Sequence, residues 1–170
     1  FQQDLDGDGV TGLNLSNLKT ASGDTNGWLL KKDSKNSLYI SDSNGENIKA
    51  VKDDYGGTPN FDYSSSWGSG SSSSEAVAAE INADNTFSIA IKHTHTFGSD
   101  TNTDWEILTV SNSGVIDWNK SVWTQSIQPY EKAFGQDLDG DGSQGLNLGQ
   151  LSSVDTDTYS CLLYTSDAAD

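Results

Sequence analysis

FSIAIKHTH, residues 87–95, alternates Phe87, Ile89, Ile91 and His93 with Ser88, Ala90, Lys92 and Thr94. A period of two puts the first set on one face of an extended chain and the second on the other, which predicts a half-buried β-strand over Phe87–His95. Its neighbours read the same way. Ala76–Ile81 precedes it across the turn ADNT, Trp105–Val110 follows, and Val115–Trp118 lies beyond the turn SNSG. Earlier in the chain, Trp28–Leu30, Leu38–Ile40 and Ile48–Val51 are short apolar runs separated by the turn formers DSKNS and DSNGEN, and they predict a three-stranded meander. The expected fold is mainly β, an antiparallel meander or sandwich-like module. Between the two groups of strands, Asp53–Ser74 contains GGTPN and WGSGSSSS, whose Gly and Ser content predicts an irregular surface loop. Pro129 suits the first turn of a short helix, PYEKAFGQ, because a missing N–H costs nothing there.

That helix runs into DLDGDG, and the same hexapeptide stands near the start of the chain, as Asp4–Gly9 and again as Asp137–Gly142. The copied segment is longer. FQQDLDGDGVTGLNLSNLKTASGDT and FGQDLDGDGSQGLNLGQLSSVDTDT agree at 15 of 25 positions, 133 residues apart. Residues 1–25 then read as the end of one repeat with its loop, 26–133 as a β-rich repeat unit, and 134–159 as a second loop opening the next repeat. Carboxylates at alternate positions followed by Gly form the first half of a calcium loop, because a hard dication takes six to eight oxygens at about 2.3–2.6 Å. On an EF-hand-like loop, Asp4, Asp6 and Asp8 take the first three ligand positions and Val10 contributes its carbonyl. Asp137, Asp139, Asp141 and Ser143 repeat that set. The loop-end position, normally a bidentate Glu, holds Leu15 and Leu148, so another carboxylate must complete the shell. Glu131 in the preceding helix is one candidate. Asp24 and Asp157, kept at equivalent places in both copies, are the favoured ones. Ca2+ is expected in preference to Mg2+, which resists dehydration.

Formal net charge is −16, from 25 acidic and 9 basic residues, and every basic residue is Lys. Phosphate binding needs a basic face, so nucleic acid is excluded as a partner. No run approaches the roughly 20 apolar residues of a membrane span. The absence of Met at position 1 reads as a piece of a longer protein. At the other end, CLLYTSDAAD (residues 161–170) reads as a translated sequencing adapter, so residues 160–170 are expected to make no specific packing contacts, and the single Cys161 carries no function.

The order of features from IAIKHTH through Trp105-Glu106, SNSGVIDW and YEKAFGQDLDGDG resembles the tryptophan-rich repeat domain found at the C-termini of Synechocystis proteins. The resemblance covers about residues 28–145 and is most specific at Tyr130, Glu131, Phe134 and Asp137–Gly142. It implies a setting in large secreted or cell-surface bacterial proteins, and attaches no catalytic residues. The expected function is a non-enzymatic, calcium-binding structural or adhesive repeat, extracellular, with neighbouring repeats of the same chain as partners and a surface glycan or matrix as a further one.

Two other chemistries compete. A carbohydrate-binding module would use exposed aromatic side chains. Of Trp28, Trp67, Trp105, Trp118 and Trp123, three (28, 105 and 118) lie in strand-like apolar contexts expected to be core, and Trp67 lies in a Gly/Ser segment where exposure is expected. A metal-dependent hydrolase would use His93 and His95, which share a strand face, with Asp104 or Glu106 as a third ligand. Asp53 and Asp54 would serve a glycosidase only if held across a cleft.

Overall fold

A computed structural model describes residues 18–23, 27–147, 151–156 and 162–166. The chain divides into two compact units, one ending at Ser126 and the other starting at Ile127. The first unit holds two antiparallel meanders. Strands β1 (Lys19–Gly23), β2 (Trp28–Lys32), β3 (Leu38–Asp42) and β4 (Lys49–Ala50) form a four-stranded sheet in chain order. Strands β5 (Tyr63–Trp67), β6 (Gly70–Ile81), β7 (Phe87–Phe97), β8 (Asp100–Val110) and β9 (Val122–Thr124) form a five-stranded one, also in chain order.

The alternation read at residues 87–95 sets which face is buried. Phe87, Ile89 and Ile91 are fully buried with Ala76, Ala79, Leu108 and Val110 of the neighbouring strands, and Leu30, Leu38, Ile40 and Val51 of the four-stranded sheet join the same cluster. Trp28 meets Phe87 edge to face at 4.8 Å between ring centroids, a geometry aromatic quadrupoles favour. The apolar stripe of each sheet is thereby taken out of water against the other, which is the layer solution open to two one-sided sheets.

One five-residue turn recurs throughout this unit. At Asp33–Ser37, Asp42–Glu46, Asp53–Gly57, Asn82–Thr86 and Ser111–Val115, the fourth residue's N–H donates to the first residue's carbonyl, and the first residue's N–H donates to the fifth's carbonyl. In every case the fourth residue has a left-handed backbone: Asn36, Gly45, Gly56, Asn85 and Gly114. Gly and Asn tolerate that region best, so the sequence marks each turn. In the first three turns the leading Asp also accepts from two backbone N–H groups through one oxygen, as Asp33 does from Lys35 at 2.8 Å and Ser37 at 2.9 Å.

The second unit contains the helix α1 (Gln128–Phe134), an acidic segment, and a hairpin of β10 (Leu151–Thr156) with β11 (Leu162–Ser166). Pro129 sits in the first helical turn, and Gly135, left-handed at φ 63°, ends the helix.

Three sequence expectations need correction. Residues 53–74 are not irregular: they contain one of the recurrent turns, the strand β5, and the start of β6. Strand β5 is exposed along its whole length. An edge strand that buries neither face shows no apolar alternation, and its Ser-rich sequence reads as a loop. Val115 and Ile116 make isolated bridges rather than a strand, to Lys52 and Val110, and Trp118 is 43% exposed; the ninth strand is Val122–Thr124. Finally, Leu162–Ser166 is paired. Its register on β10, Ser152 with Thr165, Ser153 with Tyr164, Asp155 with Leu163 and Thr156 with Leu162, matches β1 on β2 shifted by 133 residues, including the bulge. Leu-Leu-Tyr favours a strand, and a strand pairs through backbone groups that need no designed side chains.

Gly114 is the turn position least open to change. A Cβ there would overlap the carbonyl oxygen of Ala50, and its φ is +88°. Gly114→Ala is expected to destabilise the protein by about 2 kcal/mol or more, measured by urea unfolding, because it adds left-handed strain to a backbone clash. An unchanged midpoint would show that the Ala50 strand yields freely.

Candidate metal centre

In the second unit the acidic segment is organised around Glu131. This side chain is fully buried, yet its carboxylate is satisfied: Oε1 accepts from the backbone N–H of Leu138 at 2.7 Å and of Asp139 at 3.0 Å, and Oε2 accepts from Gly145 at 2.8 Å. Three charge-assisted bonds to one buried carboxylate offset its loss of water. The helix thus holds the loop by a single side chain reaching from its middle.

Within the loop each Asp folds its own backbone. Asp137 accepts from Gly140 N–H at 2.7 Å and Gly142 N–H at 2.9 Å, Asp139 from Asp141 N–H at 3.0 Å, and Asp141 from Ser143 N–H at 2.8 Å. Gly140 and Gly142 are both left-handed. Oxygen atoms of Glu131, Asp137 and Asp139 lie within 4.8 Å of one another, and among the described residues this is the one cluster of three acidic, His or Cys ligands close enough to share an ion. The structure therefore brings together two of the predicted ligands, Asp137 and Asp139, and adds Glu131. Asp141 does not join the trio; its Oδ2 accepts from the Gln128 side chain at 3.0 Å. Glu131, the candidate in the preceding helix, is the carboxylate that the structure places beside the loop; the favoured Asp157 is not among the described residues. Asp4, Asp6, Asp8, Val10, Asp24 and Asp157 lie outside the described residues.

The donor set fits a hard cation. All three side chains offer carboxylate oxygen, each side chain keeps lone pairs beyond its N–H bonds (on Glu131 this is Oε2, since Oε1 already accepts twice), and soft or nitrogen ligands are absent from the trio. Electrostatics favour a cation there too. Burial foremost, and the charges of Glu131 and Asp141 with it, push the Asp139 carboxyl above its ordinary value despite the hydrogen bond from Asp141.

The histidines of the first unit do something else. His95 Nδ1 lies 3.1 Å from Ser72 Oγ, and His93 stacks on Trp123 with centroids 4.5 Å apart. His93 Nε2 stands 3.6 Å from Glu106 Oε2, too far for a hydrogen bond, and among the described residues neither histidine belongs to a group of three ligands close enough to share an ion. Both members of this pair are buried. Burial, then the charge of His95, lowers the His93 pKa against the opposing pull of Asp104, and burial raises that of Glu106, so each is driven toward its neutral form. Asp53, weighed for a glycosidase role, is the acceptor of a recurrent turn.

Among the described residues no helix is long and apolar enough to cross a membrane. The chain matches no family model, no curated protein and no solved structure.

Glu131→Gln removes one acceptor and sets an amide N–H against at least one backbone donor. Unfolding in chelator is expected to show a loss of about 2–3 kcal/mol. A neutral result would mean that Glu131 does not organise the loop. Glu106, with its folded pKa raised, takes up a proton more readily when folded. That contribution is complete below its unfolded value near about 4.3 and disappears as pH rises through the folded value. Glu106→Gln lacks this penalty, so its melting temperature is expected to gain on the parent as pH is raised from 3 to 8, the gain starting above about pH 4; a constant difference across that whole range would contradict the buried-acid assignment.

Proposed function

We propose that this chain is a calcium-stabilised structural or adhesive repeat module of a large extracellular bacterial protein, non-catalytic, of the tryptophan-rich kind that its sequence resembles. The observation that carries the reading is the Glu131, Asp137 and Asp139 trio: three carboxylates within 4.8 Å, one of them fully buried in the helix that leads into the loop. Like charges at that spacing repel unless a cation sits among them, and an all-oxygen set takes Ca2+ more readily than Mg2+, which demands near-ideal octahedral geometry. The formal charge of −16 favours the same partner, since each bound ion reduces self-repulsion.

The repeat supports a structural role. The second DLDGDG stands between α1 and β10, and β10 lies 133 residues beyond β1 in the copied segment. A cation that orders this loop orders the segment joining one unit to the strand that opens the next. Calcium in the extracellular medium would then stiffen a string of repeats, with neighbouring repeats as the principal partners.

Calcium bound by the folded form alone stabilises it by about 2.7 kcal/mol at a hundredfold excess over Kd. Thermal melts of the chain are expected to shift upward on adding Ca2+, to shift little with Mg2+, and to lose the Ca2+ response when Asp137 and Asp139 are changed to Asn. Equal responses to both ions, or a response unaffected by the double change, would remove the calcium reading.

A further inference from the structure

The five-stranded sheet is longer than the core that covers it. Pairing registers align rows across β5 to β8: Trp67, Gly70, Phe97 and Asp100 form one row, Ser65, Ser72, His95 and Asn102 the next, and Tyr63, Ser74, His93 and Asp104 a third. Directly opposed residues and alternate residues share a face, so these rows continue the face whose other end is the buried Ala76, Ile89, Ile91 and Leu108. Ser72, Ser74 and His93 are still buried within these rows, but the outer row and the β5 edge are open. Tyr63 is 48% exposed, Trp67 52% and Phe97 69%.

We propose that this open end is a docking platform for a neutral polysaccharide whose pyranose rings carry equatorial hydroxyls, as in a β-linked glucan. Trp67 and Phe97 flank Gly70 from the strands on either side and stand in the same row, so both belong to one face of the sheet. Their surfaces suit the flat C–H faces of such rings, while Ser65, His95, Asn102 and Asp104 supply hydroxyl, imidazole, amide and carboxylate partners for the ring hydroxyls. Gly70 holds the indole in place. A Cβ at that position would meet Trp67 Nε1 at 2.8 Å and the Thr96 carbonyl oxygen at 3.1 Å, so only glycine lets the ring settle against β6. A ring already settled loses little freedom when ligand arrives.

Charge and patterning choose the occupant. The three rows contain Asp100 and Asp104 and no Lys, which disfavours nucleic acid, anionic lipid and acidic polysaccharides. Aromatics interleaved with hydroxyl and amide groups differ from the contiguous apolar centre of a protein–protein contact. The platform lies in the unit ending at Ser126 and the acidic loop in the other unit, and the proposal does not depend on the calcium reading.

Affinity electrophoresis of the full chain through gels containing a soluble neutral β-glucan, or alginate as the anionic counterpart, tests this. The parent is expected to be retarded by β-glucan and not by alginate. The pair Trp67→Ala with Phe97→Ala should weaken retardation roughly tenfold or more at an unchanged melting temperature, Gly70→Val should weaken it by displacing the indole, and Trp67→Phe should retain part of it. No retardation of the parent, equal retardation of the double variant, or stronger retardation by alginate would overturn the proposal. So would a parent that sediments as a dimer and turns monomeric in the double variant without glucan binding, because the face would then join two copies of this chain.

Discussion

The left-handed residue at the fourth position of the five-residue turn is the constraint on which the first unit depends. Asn36, Gly45, Gly56, Asn85 and Gly114 each reverse the chain, and three of the five turns, those at 33–37, 42–46 and 82–86, join neighbouring sheet strands whose register they set. A shift of one residue in any of those strands would turn its apolar set away from the other sheet. With the turn fixed, Phe87, Ile89 and Ile91 meet Leu108 and Val110 on one face, and the core follows from registers that local backbone chemistry has already set. Helices contribute little in comparison: the described residues include a single seven-residue one.

The turn also changes how the acidic composition is read. Asp33, Asp42 and Asp53 hold turns together through bonds to their own backbones, and Asp84 accepts from Thr86 in the same manner. Those acids are spent on folding the chain, whatever ions surround it. Glu131 differs from them: it is fully buried, and it binds backbone seven, eight and fourteen residues away rather than its own neighbours. A net charge of −16 therefore sets only a general preference for cations, and the case for a bound one rests on the few carboxylates that face one another.

The mainly β fold was legible wherever a strand has one dry face and one wet one, because only that situation writes a period of two into the sequence. Phe87–His95 showed it, and so did the turns on either side. Tyr63–Trp67 lies exposed at the sheet edge and carries no such record, so its serines read as loop. Trp118 shows the converse problem: an aromatic residue in a short apolar run looks like core, but Trp118 is 43% exposed. At the acidic loop, the ligand spacing identified Asp137 and Asp139. Glu131 could be weighed but not ranked from sequence, since its value comes from three backbone groups that meet it only after Gly135 turns the chain back.

The two hairpins related by the repeat separate what side chains specify from what the backbone specifies. Lys19–Gly23 and Ser152–Thr156 share no residue type at equivalent places, yet β1 on β2 and β10 on β11 have the same register and the same bulge. Two features are common to both. Five residues separate Gly23 from its partner Leu29 and Thr156 from its partner Leu162, and Leu29-Leu30 is matched by Leu162-Leu163. Connection length limits which registers a hairpin can reach, and an apolar pair chooses between the two faces of those that remain. Strand sequence can then vary freely at the other positions without moving the pairing. A hairpin specified in this way can be kept by spacing alone, which leaves residue identity at its other positions free of the pairing.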